Sequence, residues 1–539
     1  MPPASLPSLV LALCLFATHA HAQDLPTSIA TLTSDPAVSR ANWGIMVTTL
    51  DGTPIYALNE KKLFQPASNA KLFTTAAALA LLKPGSRFET PILATAAPVG
   101  GTLHGDIVLK GDGDANLSGR AIPFAEPPAK QFPLPPLHIL DEMADTIATT
   151  GLKCIDGNIV GDDTLFPWEP YPIDWSVEDL LWGYGAPVSA LSINDNQIRL
   201  TIVPGKIPPI PATVARGPYG IPSPPKITLD PATPFYTIQN EIGTVQGNSG
   251  TGIGFERQPG SRTLRIYSGV TKTPETFEIA IDDPAEYAAA SLKASLEARG
   301  ITITGKAIAR HNPQTSTTGF LEQSRVPIVA LGTGLQGSIV PCLRCNNLTG
   351  ILGYPEAVTL AHHTSPTVGE DTVITNKESQ NLHAEILLHQ LAVAFGNDGS
   401  TAQGARVIRS FAVQAGIDPN DFIFYDGSGL SGHDLVTPRA IAKLLQFATT
   451  QPWFADYKNS LPIGGVDGSL EHRFTSPQLK GHVFAKTGTL GEARALSGYL
   501  DCASGHTVIF SILVGNHDPT SSADRDVMDR IVAAIAIAE

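Results

Sequence analysis

The sequence predicts an α+β protein whose principal domain is interrupted by a large, β-rich insertion. Three observations carry this reading. Apolar stretches with helical spacing cluster near the start and over the last third of the chain, while short β-type runs broken by glycine and proline fill the middle. The motifs that carry chemistry sit on both sides of that middle, so the flanks must come together if the motifs are to cooperate. Of 539 residues, 42% are hydrophobic, enough for two or three well-filled cores, and 49 glycines and 44 prolines suit a chain of many strands and turns.

Residues 1–22 read as a secretory signal. The apolar stretch Leu9 to Ala17 precedes Ala20-His21-Ala22, a small-x-small cleavage site, although Met1 to Ser8 carries no Lys or Arg. Cys14 follows Leu13, which is larger than the small residue usual before a lipidated cysteine. No other stretch reaches the ~18–20 apolar residues that span a bilayer. The expected location is therefore outside the cytoplasm, periplasmic or extracellular and associated with the cell wall, without a transmembrane span.

Cleavage leaves Cys154, Cys342, Cys345 and Cys502, an even set that permits two disulfides in three connectivities. A local Cys342–Cys345 bond is favoured over a zinc site, because adjacent His362-His363 lacks the spacing of a second ligand pair.

Trp43 to Thr49, Asp51-Gly52 and Ile55 to Leu58 form a hairpin pattern. Pro66-Ala67-Ser68 then opens an Ala/Leu-rich helix that runs to about Leu82 and stops at Pro84-Gly85. From about Ala94 to Gly350 come short strand-like runs such as Gly105 to Gly111, Gly157 to Asp162, Asn196 to Val203 and Arg262 to Tyr267, with one helix, Pro284 to Arg299. Helical texture returns at Ser379 to Phe395, Pro438 to Thr449 and Ala523 to Ala538, with strands Leu496 to Leu500 and His506 to Val514 between the last two. These changes divide the chain into a catalytic domain (23–95 and 353–539), an inserted β-rich domain (96–190 and 285–352) and a second domain nested within it (191–284).

Charge removes one class of function. Only 16% of residues are charged, the net charge is −14 and there is no basic run, so sequence-independent binding to nucleic acid is excluded. Gly332-Thr333-Gly334-Leu335-Gln336-Gly337 fits a dinucleotide pattern, but Ser338 to Cys345 after it contains a proline and no helical periodicity. There is no H-E-x-x-H and no G-x-S-x-G. No metal and no organic cofactor are expected.

The candidate site lies in three short motifs. In Ser68-Asn69-Ala70-Lys71, an amine one helical turn from a hydroxyl can take its proton, and a helix N-terminus favours developing negative charge. Ser223-Pro224-Pro225-Lys226 repeats the spacing, but its prolines keep the backbone extended and the side chains apart. Ser379-Gln380-Asn381 opens the helix of Leu382, Ile386, Leu387 and Leu388. Lys486-Thr487-Gly488-Thr489 ends the strand-like Val483-Phe484-Ala485, where a glycine lets a substrate approach the backbone. Each motif alone also reads as a helix cap or an edge-strand turn. The three together, in order and in fitting secondary structure, do not arise easily by accident.

That trio resembles the signature of penicillin-binding proteins and β-lactamases. With Pro66-Ala67, Tyr184-Gly185-Ala186-Pro187, Asn194-Asp195-Asn196, Asp426-Gly427-Ser428-Gly429-Leu430-Ser431, Thr437-Pro438, Leu461-Pro462, Gly468-Ser469-Leu470 and Leu496-Ser497-Gly498-Tyr499, the chain resembles the D-alanyl-D-alanine carboxypeptidase/endopeptidase family, the low-molecular-mass class C penicillin-binding proteins of serine peptidase family S13, over nearly its whole mature length. Gly432, Asp434 and Ala115 stand where that family often has Arg, Asn and Pro, all outside the three motifs.

The resemblance implies an antiparallel sheet with helices on both faces, the penicillin-binding/β-lactamase-like transpeptidase fold. It implies a substrate, the stem peptide of peptidoglycan, with cleavage of cross-links as a further activity, and β-lactams as inhibitors. It implies Ser68 as nucleophile, Lys71 as base and Ser379 as proton relay. Asn381, Lys486, Thr487, Gly488 and Thr489 would bind substrate. Two alternatives stay open at this point: a serine β-lactamase, and a catalytically silent penicillin-binding or wall-sensing module.

Overall fold

The computed structural model describes residues 24–127, 129–205, 224–244, 252–270, 273–329, 331 and 357–539. The predicted signal, the Gly332 to Gly337 pattern, Cys342 and Cys345 lie outside these residues.

Both flanks of the chain contribute to one antiparallel sheet. Its strands run in the order Pro54–Leu58, Asn42–Thr49, Thr507–Gly515, Ala493–Asp501 and Val483–Leu490. Side chains alternate between its faces, as the two-residue period of a strand requires. Ile45, Leu496, Phe510 and Ile512 point to one side, where helices Leu25–Thr33 and Ala523–Ala538 cover them through Ile29, Ile531 and Ile535. Ala495, Tyr499, Ile509 and Leu513 point to the other, into a core shared with helices Lys71–Leu81, Asn381–Phe395, Thr401–Gln414 and Pro438–Thr449. The expected sheet with helices on both faces is present.

A second five-stranded sheet is mostly built from the insertion, in the order Ala307–Asn312, Ile159–Pro167, Ile107–Lys110, Glu89–Ala94 and Val358–Thr364. Its first three strands are parallel to one another and the last two join antiparallel. Glu89–Ala94 and Val358–Thr364 fall inside the expected catalytic segments 23–95 and 353–539, yet they pair with this second sheet.

The insertion also holds a helix beyond the one expected at Pro284 to Arg299, which forms as Pro284–Ala298. His138–Thr149 buries Leu140, Met143, Ala144 and Ile147. That spacing is the helical i, i+3, i+4, i+7 pattern, masked in the sequence by the prolines just before it. Residues 197–280 add two three-stranded sheets around Leu200, Ile202, Ile242, Leu264, Ile266 and Ile279.

The disulfide framework permitted by four cysteines does not include Cys154 or Cys502. Both are free, one on an inserted strand and the other buried at the end of Ala493–Asp501. Among the described residues no helix is long and apolar enough to cross a membrane.

Helix Pro284–Ala298 lies directly on the second sheet at Gly161. A Cβ there would stand 1.9 Å from the Ala285 carbonyl oxygen, and backbone cannot swing aside as a flexible side chain can. Gly161→Ala is expected to destabilise the protein by about 1–3 kcal/mol, read as a lower denaturant midpoint with an unchanged slope.

Candidate active site

The first motif begins before the helix that was expected to carry it. Ala67–Ala70 is a single 3₁₀ turn, and the α-helix starts at Lys71 and runs to Leu81, buried along its whole length. In a 3₁₀ turn residues i and i+3 eclipse, so Ser68 and Lys71 project the same way. The turn is entered through Ala67 at φ +45°. Two glycines make room for it. A Cβ on Gly429 would meet the Ala67 oxygen at 1.9 Å, and one on Gly488 would meet the Pro66 oxygen at 2.7 Å and the Ser68 nitrogen at 3.1 Å. Asn69 completes the seating by donating its Nδ2 to the Lys486 carbonyl at 2.9 Å.

Lys71 has no solvent exposure and uses all three donors of its ammonium. Nζ reaches Ser68 Oγ at 2.9 Å, Asn381 Oδ1 at 2.6 Å and the Ser428 carbonyl at 2.7 Å. The last two partners only accept. A neutral amine that keeps donating to them has its lone pair left over, directed at Ser68 Oγ. The geometry therefore presents a base to the hydroxyl once Lys71 loses a proton.

Burial favours that loss, bringing the Lys71 pKa down to about 7 against the opposing pull of Asp426, Glu385 and Asp434. Burial and the Asp426 charge raise Glu385 to about 8, while burial and Asp426 push Asp434 well above the carboxylate range. These two carboxyls thus favour their neutral forms and restrain Lys71 less than charged ones would. Repulsion between the two lysines falls on Lys486: burial first, then Lys71, holds it well below an ordinary amine. Its Nζ donates to Ser379 Oγ at 2.8 Å and to the Thr487 carbonyl at 2.9 Å.

The second motif sits at a strained point. Ser379 has φ +61°, and the helix follows only at Asn381, two residues later than the sequence suggests. Asn381 spans the cleft, accepting from Lys71 and donating Nδ2 to the Tyr184 carbonyl of the insertion at 2.8 Å. In the third motif, Thr487 Oγ1 lies 2.7 Å from Ser469 Oγ and Thr489 is exposed.

The structure thus joins Ser68, Lys71, Ser379, Asn381, Lys486 and Gly488 by direct hydrogen bonds or backbone contact, with Thr487 and Thr489 on the same strand.

Several partners were given no role at the site by the sequence. Glu385 is fully buried and accepts from the Gly427 and Ser428 N–H groups, which fixes the loop whose carbonyl holds Lys71. An acid among Leu382, Ile386, Leu387 and Leu388 was the available signal, because carboxylates are rarely buried without a task. Asn194, Asp195 and Asn196 are consecutive left-handed residues, at φ +51°, +55° and +53°. That conformation costs an L-residue roughly 1–2 kcal/mol, less for Asn and Asp, and three Asx residues in a row were its trace in the sequence. Burial alone would lower the pKa of His383. The flanking carboxylates of Asp371, at 2.7 Å, and Asp195, at 3.3 Å, outweigh it and lift the group to about 9.

The chain is similar to known proteins along nearly its whole length. The model of the D-Ala-D-Ala carboxypeptidase 3 (S13) family matches residues 25–331 and 353–535, and the chain belongs to that family. A D-alanyl-D-alanine carboxypeptidase of Actinomadura sp. (strain R39) is 29% identical over 528 residues, covering 96% of this chain and 86% of its own. The D-alanyl-D-alanine carboxypeptidase DacB of Haemophilus influenzae is 24% identical over 480 residues, 87% and 84% of the two chains. The crystal structure of penicillin binding protein 4 from Haemophilus influenzae superposes with a TM-score of 0.70 at 20% identity, covering 94% of this chain and 98% of that one. The fold is therefore that of the penicillin-binding proteins.

Two outcomes test this geometry. Gly488→Ala must push its strand off the Ser68 turn, so acylation of the serine is expected to slow ~10²-fold, the cost of about 1 Å of misplacement. A labelled β-lactam measures it, with thermal melting to confirm folding. For His383 the sign follows from a raised pKa: its contribution to stability is complete below pH ~6.5 and fades as pH rises towards about 9. The melting temperature should fall over that window, and His383→Gln should flatten the fall.

Proposed function

We propose that the protein is a serine-type D-Ala-D-Ala carboxypeptidase that trims peptidoglycan stem peptides through an acyl-enzyme on Ser68. The observation that carries this reading is Lys71, buried, with two partners that only accept and a third that is the serine hydroxyl. An amine so held is a base built for one proton.

Ser68 Oγ attacks the carbonyl between the two terminal D-alanines while its proton passes to Lys71. Charge gathers on the carbonyl oxygen, where the N–H groups of Ser68 and Thr489 receive it, each such donor being worth ~10²–10³ in rate. Lys71 gives up the proton it took by way of Ser379, which is bonded to Lys486 and delivers a proton to the departing amine, and D-alanine leaves as the C–N bond breaks. Lys486 and the hydroxyls of Thr487 and Thr489 hold the terminal carboxylate, and Asn381 aligns the substrate amide. Water then cleaves the ester and regenerates Ser68.

A β-lactam enters by the same attack, but its broken amide remains attached and blocks the water, so the adduct persists. The reading places the protein outside the cytoplasm at the cell wall. It assigns segments 23–95 and 353–539 to catalysis, apart from the strands Glu89–Ala94 and Val358–Thr364 that complete the second sheet, with 96–190 and 285–352 as the inserted domain and 191–284 nested inside it. Cleavage of cross-linked peptides uses the same carbonyl chemistry and is the finer activity to assay.

Incubation with labelled penicillin and with a D-Ala-D-Ala peptide tests the reading. Stable label plus D-alanine release is expected. Rapid loss of label would mark a β-lactamase, and label without peptide turnover a binding module. Intact mass should show one adduct on the wild type and none on Ser68→Ala; an adduct on the variant would remove Ser68 from its role. Since Lys71 must be neutral to accept the proton, kcat/KM should rise with pH and level off above about 7.

A further inference from the structure

Four residues around Ser379 make side-chain contacts with the insertion as well as with the domain they belong to. Arg120 ion-pairs with Glu378, directly before the serine, and with Asp195. Asp195 accepts from Gln380 Nε2 at 2.9 Å, directly after the serine, and meets His383 Nε2 at 3.3 Å within the first turn of the helix. The Tyr184 carbonyl takes Asn381.

The inserted turn is itself costly to make. Its three left-handed residues are locked by their own side chains: Asn194 Nδ2 on the Gln197 carbonyl at 2.8 Å, and Asn196 Nδ2 on the Pro187 carbonyl at 2.9 Å and on Ser192 Oγ at 3.0 Å. This bonding leaves the Asp195 carboxylate facing outward from the turn, onto the segment where Ser379 stands at φ +61°. One strained turn thus faces another, and strain persists where the surroundings over-determine it.

We infer that Asp195 is a positioning residue of the peptidase: with Arg120, it clamps Glu378, Gln380 and His383 so that Ser379 keeps the left-handed conformation that aims its hydroxyl at Lys486. The inserted domain is then part of the catalytic apparatus, supplying geometry from outside the three motifs. The assignment rests on the peptidase reading. It makes Asp195 act through its neighbours, because its carboxylate is spent on Arg120, Gln380 and His383.

A double-mutant cycle on acylation by a fluorescent penicillin tests it. Asp195→Asn should slow acylation of Ser68 by ~10–100-fold. Ser379→Ala should be slow by itself, and Asp195→Asn should then add less than about 2-fold, since a residue acting through Ser379 has nothing left to position. A slowdown that multiplies undiminished in the Ser379→Ala background overturns the inference, as does Asp195→Asn acylated at the wild-type rate. Should Asp195→Asn fail to fold, as judged by thermal melting, Gln380→Leu removes the same bond from the motif side, and the same outcomes decide. A wild-type protein that takes no label would instead overturn the peptidase reading, and the assignment with it.

Discussion

Two lysine amines buried in one cleft are the constraint from which the rest of the site follows. Taking an ammonium out of water is expensive unless every donor finds a partner, and two of them near each other raise the cost further. The cleft answers with acceptors: the Ser428 and Thr487 carbonyls, the Asn381 amide oxygen and the Ser68 and Ser379 hydroxyls. It also answers by shifting both amines toward neutrality, and that shift creates a base. The penalty of burial and the basicity offered to the Ser68 hydroxyl are one effect seen from two sides.

Backbone carbonyls can act as acceptors here only if main chain comes very close to main chain. This is why glycine recurs at Gly427, Gly429 and Gly488, where a methyl group would strike the backbone of Ala384, Ala67 or Pro66. Behind that layer, Glu385 and Asp426 bind the N–H groups of the Gly427 to Ser431 loop, so the carbonyl facing Lys71 is fixed by anchors on the opposite side.

Much of this was legible in the sequence. Helices Pro438–Thr449 and Ala523–Ala538 appear with the limits their caps and apolar spacing suggest, and the sheet has the expected helix-covered faces. The motif residues were readable because their types and spacings are chemically restrictive. What escaped depends on contacts between remote segments. Nothing local in Glu89–Ala94 says that it pairs with Ile107–Lys110. Nothing near Tyr184 says that its carbonyl takes an amide nearly two hundred positions later, an |i−j| of 197. The start of the helix at Lys71 likewise goes with a close approach of Gly429 to Ala67, invisible to periodicity.

The helices Leu25–Thr33 and Ala523–Ala538 pack side by side on one face of the main sheet, whereas the core beneath the Ser68 turn lies on the opposite face. Affinity handles, surface linkers or fluorescent groups attached to exposed positions of these two helices would therefore sit on the sheet face turned away from the Ser68 turn. Such attachments leave the Ser68 turn unobstructed, so the protein can be immobilised through this pair of helices and still present its cleft to a bulky ligand.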